Sequence, residues 1–321
     1  LRPLRPDEIL VGNLRCGLCG TDLAKWRGDE EVNFPQRLGH EFAGVVIAVG
    51  RGVTNVQIGD QVACWIPPGW DYGGLAEYAI VPARYAVGAP RDVGWAAEPL
   101  MCVIAAVKRV GRLIDGTHRG KRVVIIGTGT MALLTTAFLA RRQPPRSLTV
   151  IGRSDAGLQR ARALGATAIV KLPLDDPDRI ADAIGKPADV VYEAVGNQDA
   201  LTVASCLPRM GGIVCVLGYH QSGGGDRTIP VGPVMGWRGV SFVSGHTRDA
   251  ATAGLSEDRD EVLPALKRAA RLLTGGEIDV DVLRARDGGS PVAFPLDAVA
   301  DASEWASRPG AGKVVVDGIL A

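Results

Sequence analysis

The chain has 321 residues, 46% of them hydrophobic, and its 36 Lys and Arg nearly balance 35 Asp and Glu, for a formal net charge of +1. That length fits about two domains, and that composition a sizeable buried core. With no basic field and no run near the roughly 18 apolar residues of a membrane span, neither nucleic acid nor a membrane is an expected partner.

An E-I-L-V-G-N-L run near the start has strand character, as does E-F-A-G-V-V-I-A-V-G after His40. V-Q-I-G-D-Q-V-A-C-W predicts a short strand pair about Gly59-Asp60, and L-A-E-Y-A-I-V-P another strand. Short strands punctuated by glycine predict an antiparallel β barrel or small sandwich for about the first hundred residues. Beyond Glu98 the texture changes. Leu100 to Val110 reads as an apolar helix, and strands then alternate with helices to about residue 245. The predicted strands are 122–127, 148–152, 168–171, 189–196, 213–218 and 241–245, with helices 131–141, 156–164, 179–184 and 200–207 between the first five. Each parallel crossover needs a helix, so this alternation predicts an α/β, doubly wound, six-stranded parallel sheet. A last long helix, 261–273, runs to Gly275-Gly276, and the chain closes with a K-V-V-V-D strand.

Two stretches carry chemistry. The first joins C-G-L-C-G-T-D-L, from Cys16, to L-G-H-E-F-A-G through a polar loop. Cys19, His40 and Glu41 are the mixed thiolate, imidazole and carboxylate donors of catalytic zinc sites, and Glu98 in A-E-P-L is a fourth candidate. A lone Cys or His is more often a packed core side chain; the ordered combination is what points to metal. Cys102, Cys206 and Cys215 sit in apolar runs and read as buried small hydrophobes. His118, His220 and His246 lack ligand-like neighbours, and Trp26, Trp65, Trp70 and Trp95 serve a substrate pocket or the core equally well. No secretory signal is visible, so a reducing, cytoplasmic setting is expected. Since the chain opens on Leu1 rather than Met, its natural start is expected upstream.

The second stretch is R-V-V-I-I-G-T-G-T-M-A, where Gly127, Gly129 and Ala132 form G-x-G-x-x-A between a strand and a helix. The first glycine permits the tight turn, the second lets backbone approach a pyrophosphate, and the third position must be small for helix–strand packing. The helix N-terminus offers free N–H groups to phosphate. About twenty residues on, an acid would hold the ribose 2′-OH of NAD. Here stand Gly152, Arg153 and Ser154, which leave room for a 2′-phosphate and a cation to pair with it. NADP is the expected cofactor, with NAD accepted as the alternative.

Taken together, C-G-L-C-G-T-D, G-H-E and E-P-L ahead of a dinucleotide fold resemble the zinc-dependent medium-chain dehydrogenase/reductase family, and E-P-L its polyol branch. The resemblance implies a GroES-like β-barrel catalytic domain (1–103 with 249–321) and a Rossmann domain (104–248). It implies one catalytic zinc on Cys19 and His40, with Glu98 a ligand or an immediate neighbour and Glu41 able to swing onto the metal. Asp22 would hold the His40 ring in its ligating tautomer, and Thr21 would pass the alcohol proton towards the cofactor ribose. Cys16 would only pack. It also implies a homodimer or homotetramer, joined at the edge of the sixth Rossmann strand, acting on a small alcohol, ketone or polyol. Two departures stand out. Family members often carry a His where this chain has Ala24, so the relay would end in water or in Lys25. Between Gly59 and Tyr78 only Cys64 appears, so no second, structural zinc is expected. Two competing readings remain at this level: a reductase of activated C=C bonds, and a non-catalytic nucleotide-binding relative.

Overall fold

The computed structural model describes all residues except 31, 33–34, 67–71, 175, 221–227, 247–260, 288–289, 309 and 321. The chain forms two compact units, Leu1–Cys102 with Thr247–Ala321, and Val103–His246.

The first unit opens with β1 (Glu8–Gly17), whose apolar run is buried along almost its whole length. Then come α1 (Gly20–Arg27), β2 (Glu41–Val49), β3 (Gln61–Cys64), β4 (Tyr78–Pro82), β5 (Ala86–Gly88) and α2 (Arg91–Gly94). The expected strand pair about Gly59-Asp60 is a single strand, β3. Gly59 takes φ +94° and the Asp60 carboxylate accepts from the Gln57 amide at 2.9 Å, which closes a turn instead. α3 (Ala97–Gly111) carries the chain into the second unit.

There the alternation holds throughout: β6 (Arg122–Ile126), α4 (Thr130–Arg142), β7 (Ser147–Gly152), α5 (Asp155–Ala163), β8 (Ala168–Lys171), α6 (Pro177–Ile184), β9 (Ala188–Glu193), α7 (Gln198–Cys206), β10 (Pro208–Val216) and β11 (Ser241–Ser244). All pairs are parallel, in the order β8-β7-β6-β9-β10-β11. Strand order reverses between β6 and β9, and ligands of such sheets bind at the carboxyl ends there. Val124, Ile126, Ile151, Val191 and Val214 fill the core. β10 begins five residues before the expected start because Pro208 pairs with Ala188 ahead of a register break. A π-helical turn, Gly232–Trp237, precedes β11 and was not expected.

Back in the first unit, α8 (Val262–Thr274), β12 (Arg286–Asp287), β13 (Ser290–Pro291), β14 (Ala293–Pro295), α9 (Val299–Ala306) and β15 (Val315–Asp317) complete the chain. The ladder runs β14-β15-β1-β2-β3-β5, with β4 also on β1. It is branched, and among the described residues its pairing stops short of a closed barrel. Its register brings distant segments together. Gly17 at the end of β1 pairs with Glu41 on one side and Val315 on the other, both antiparallel. The segments just outside the ladder, Leu18–Cys19, Gly39–His40 and Lys313–Val314, therefore gather at one end of the sheet.

Candidate active site

Cys19 ends up at the N-cap of α1, and His40 immediately before β2. Their ligand atoms and one carboxylate oxygen of Glu41 all lie within 4.8 Å of one another. Gly39 makes this approach possible. It takes φ +89°, and a methyl there would lie 2.6 Å from the Leu75 amide nitrogen and 2.8 Å from the Cys16 sulfur. Burial pushes the His40 imidazole pKa down, but the Cys19 sulfur and the carboxylates of Asp22 and Glu98 outweigh it, leaving the ring well above its ordinary range. The group thus attracts positive charge, and a zinc ion in place of the ring proton suits a thiolate, an imidazole and a carboxylate.

Asp22, buried in the first turn of α1, braces both ligand segments. Its Oδ2 accepts from the Cys19 amide at 3.0 Å and its Oδ1 from the Gly39 amide at 3.0 Å. The His40 Nδ1 stands 3.9 Å away, beyond hydrogen-bond reach, so Asp22 holds backbones rather than the ring. Glu98, in the first turn of α3, lies outside the tight group; its carboxyl accepts from the Cys102 sulfur at 3.4 Å. Burial raises its pKa, partly countered by His40. Sequence reasoning missed Lys313. Its ammonium is buried and donates to the Glu41 Oε2 at 2.5 Å and to the Leu18 carbonyl at 2.9 Å.

In the second unit the glycine motif folds as expected. Gly127 has φ +112°, and its amide donates to the Ile151 carbonyl on the neighbouring β7 at 2.8 Å. Gly129 is the N-cap of α4, where a methyl would meet nothing within 4 Å, so the backbone there is open to a ligand. Ala132 is fully buried under the helix. Gly152 serves a purpose not foreseen: a methyl on it would lie 2.6 Å from the Thr128 Cγ2, so its smallness seats the glycine loop. Gly157 faces the same threonine from the start of α5. Ser154 caps α5, accepting from the Gly157 amide at 3.3 Å. Arg153 is exposed and has no hydrogen bond or ion pair among the described residues.

Comparison with known proteins agrees over both units. The alcohol dehydrogenase GroES-like domain family matches residues 5–91, and the zinc-binding dehydrogenase family matches residues 127–268. The chain belongs to the zinc-dependent medium-chain dehydrogenase/reductase family. It is 29% identical to the sorbitol dehydrogenase of Gallus gallus, over 66% of this chain and 68% of that one. It is 25% identical to the sorbitol dehydrogenase of Arabidopsis thaliana, over 94% of this chain and 86% of that one. Among solved structures it resembles a zinc-binding dehydrogenase from Sinorhizobium meliloti 1021 bound to NADP, with a TM-score of 0.78 and 25% identity, over 98% of this chain and 93% of that one. As a member of this family it is an oxidoreductase of alcohols that works with zinc and NAD(P).

Set against the family pattern, the remaining candidates divide clearly. Cys16 is buried beneath the metal group, and burial, helped by Asp22 and Glu41, holds its thiol well above the usual range. Ala24, where relatives often have a histidine, is fully buried on α1. Thr21 is half-buried on the same helix. All six cysteines are free thiols, and Cys206 is exposed at the end of α7 rather than buried. Trp65 and Trp95 are core residues, Trp26 is about half exposed, and Trp70 lies outside the described residues. His118 is a core imidazole between Tyr192 and Gln143, and burial keeps its pKa low. His246 bonds the Gly218 carbonyl. His220, expected to stand apart, donates from Nε2 to the Glu193 carboxylate, at the carboxyl end of β9, at 2.7 Å. Glu193 also accepts from the Val195 and Gly196 amides, ordering the loop that faces Gly127. No local spacing signals that pair, because its two members meet only through the parallel register of β9 and β10. No helix among the described residues is long and apolar enough to cross a membrane.

Proposed function

We propose that this enzyme is an NADP-preferring dehydrogenase of secondary alcohols or polyols, with 1–103 and 249–321 as its catalytic domain and 104–248 as its nucleotide domain. The convergence of Cys19, His40 and Glu41 within 4.8 Å carries the reading. Cys19 and His40 hold the zinc, Glu98 completes the set or stands beside it, and Glu41 is a reserve ligand. Bound there, zinc supplies a Lewis acid that favours the alkoxide of an alcohol or polarises a carbonyl. The nicotinamide supplies or accepts the hydride.

The chain's own residues provide alignment and proton traffic. Asp22 keeps the Cys19 and Gly39 backbones in place, so that the two ligands meet without reorganisation. The Thr21 hydroxyl takes the alcohol proton and hands it on. With Ala24 in the position of the usual histidine, Lys25 or water receives it. Gly127, Gly129 and Ala132 seat the pyrophosphate at the start of α4. Arg153 pairs with the 2′-phosphate, for which its lack of a partner among the described residues leaves it ready, and Gly152 and Ser154 shape the turn behind it. The likeness to two sorbitol dehydrogenases supports a polyol substrate. The edge position of β11, with Trp237 80% exposed beside it, supports pairing with a second copy. Free thiols throughout support a reducing, cytoplasmic setting.

The test is zinc content by atomic spectroscopy, combined with an NADPH- and NADH-linked screen of ketones and polyols. One zinc per chain and a higher kcat/KM with NADPH are expected, and Cys19→Ser loses both zinc and turnover. Full alcohol oxidation by the Ser variant would end the zinc assignment, and an equal or higher kcat/KM with NADH would end the NADP preference.

A further inference from the structure

Lys313 lies against the metal group, and the proposed mechanism does not use it. Its side chain and that of Glu41 are each only 3% exposed, and Nζ lies 2.5 Å from Oε2. A second bond from Nζ to the Leu18 carbonyl, at 2.9 Å, anchors the ammonium directly beside Cys19. The backbone that carries the lysine is tied down on both sides. Its amide donates to the Leu283 carbonyl at 2.7 Å and its carbonyl accepts from the Ala285 amide at 2.7 Å. Val314, the next residue, accepts from the Leu18 amide at 3.0 Å. Gly17 completes the seat, since a methyl there would come within 2.5 Å of the Glu41 Oε2. The same carboxylate nevertheless has an oxygen within 4.8 Å of the Cys19 and His40 donors. Glu41 therefore lies between the Lys313 ammonium and the Cys19 and His40 donors that would hold a metal. Moving it to the metal would strand a buried charge with only a carbonyl for company, a state that proteins avoid.

We propose that Lys313 is a positioning residue that latches Glu41 off the zinc, keeping a coordination position open for substrate and setting how readily the metal is released. This rests on the zinc reading of the proposed function. Without the latch, the unpaired carboxylate turns to the nearest remaining cation and becomes a permanent ligand. Zinc is then held more tightly, and the open position is filled.

The experiment uses the full chain, wild type alongside Lys313→Met, Lys313→Arg, Glu41→Gln and the double variant Glu41→Gln/Lys313→Met. Three quantities are measured: zinc content, the rate of zinc transfer to the chelator 4-(2-pyridylazo)resorcinol, and the visible d–d spectrum of the cobalt-substituted protein. Lys313→Met is expected to keep its zinc and release it about tenfold more slowly, within the range typical of groups around a metal's ligands, with an altered cobalt spectrum. Lys313→Arg, which keeps the cation, behaves as wild type, and the double variant returns to the wild-type rate. Glu41→Gln alone leaves the cobalt spectrum as in wild type, because the carboxylate is not a resident ligand; this arm stands even where Lys313→Met does not fold. Equal or faster release from Lys313→Met, slow release persisting in the double variant, or a changed Glu41→Gln spectrum would each overturn the latch. Absence of zinc from the wild-type protein would instead remove the underlying zinc reading, so the two failures are told apart.

Discussion

Replacing Asp22 by Asn tests how the metal group is assembled. The carboxylate is 4% exposed and accepts two backbone N–H bonds at 3.0 Å, one from each ligand segment. An asparagine offers one carbonyl oxygen and one amide, so either the Cys19 or the Gly39 N–H must face a donor. Charge-assisted bonds contribute about 1.5–3 kcal/mol each, and a buried donor left unmatched adds to the loss, so about 2–4 kcal/mol is expected. At roughly 2 °C per kcal/mol for a chain of this size, the metal-free protein melts about 4–8 °C lower. Zinc binding weakens as well, by about 10–100-fold, because the two ligands are no longer tied to one anchor. Calorimetric melts of the metal-free protein and a zinc titration against a competing chelator give both numbers. A variant matching wild type within about 1 °C and about twofold in affinity would refute the bracing role, since an asparagine cannot replace two buried bonds to a carboxylate.

Gly39→Ala is expected to cost about 2–4 kcal/mol, combining left-handed strain with overlap against the Leu75 backbone, and to lower zinc content; chemical denaturation with metal analysis checks it. Glu8 accepts from Arg2 at 2.6 and 2.7 Å and from the Arg5 amide, and Arg2 holds its pKa below the ordinary 4.5 against the pull of burial. A depressed folded-state pKa stabilises at pH above the unfolded value and loses that contribution as pH falls through the folded one. Glu8→Gln therefore lowers stability by about 2 kcal/mol at neutral pH and flattens the decline below pH 4.5, read from denaturant midpoints across pH. Arg153→Ala should raise KM for NADPH about tenfold, the worth of one charge-assisted bond, and leave NADH nearly unchanged; equal effects on both cofactors would remove Arg153 from 2′-phosphate recognition.

Much of the nucleotide unit was legible from residue order. Its strands and helices repeat with local periodicity, and Gly127, Gly129 and Ala132 act through backbone geometry that a short motif encodes. The donor types at Cys19, His40 and Glu41 were likewise readable, because zinc chemistry restricts them to a few side chains. α1 and α9 escaped notice: α1 is short and mostly polar on its outer face, and α9 is a two-turn helix whose burial comes from packing on β14 and β15. The strand pair expected at Gly59 failed because one aspartate closing a turn outweighs an apolar pattern. Gly152 reads as space for a phosphate, and its close approach to Thr128 is a packing demand that no motif signals.

Residue order alone thus determined which atoms are available for metal and nucleotide, since coordination and phosphate binding depend on side-chain type and on turns a few residues long. Tertiary structure decided which of them meet. Lys313 reaches Glu41 across 272 positions because β1 pairs with β2 on one side and β15 on the other, and Glu193 finds His220 through the register of β9 and β10. Such meetings come from hydrogen-bond ladders between distant strands, which leave no mark on the local pattern of either partner.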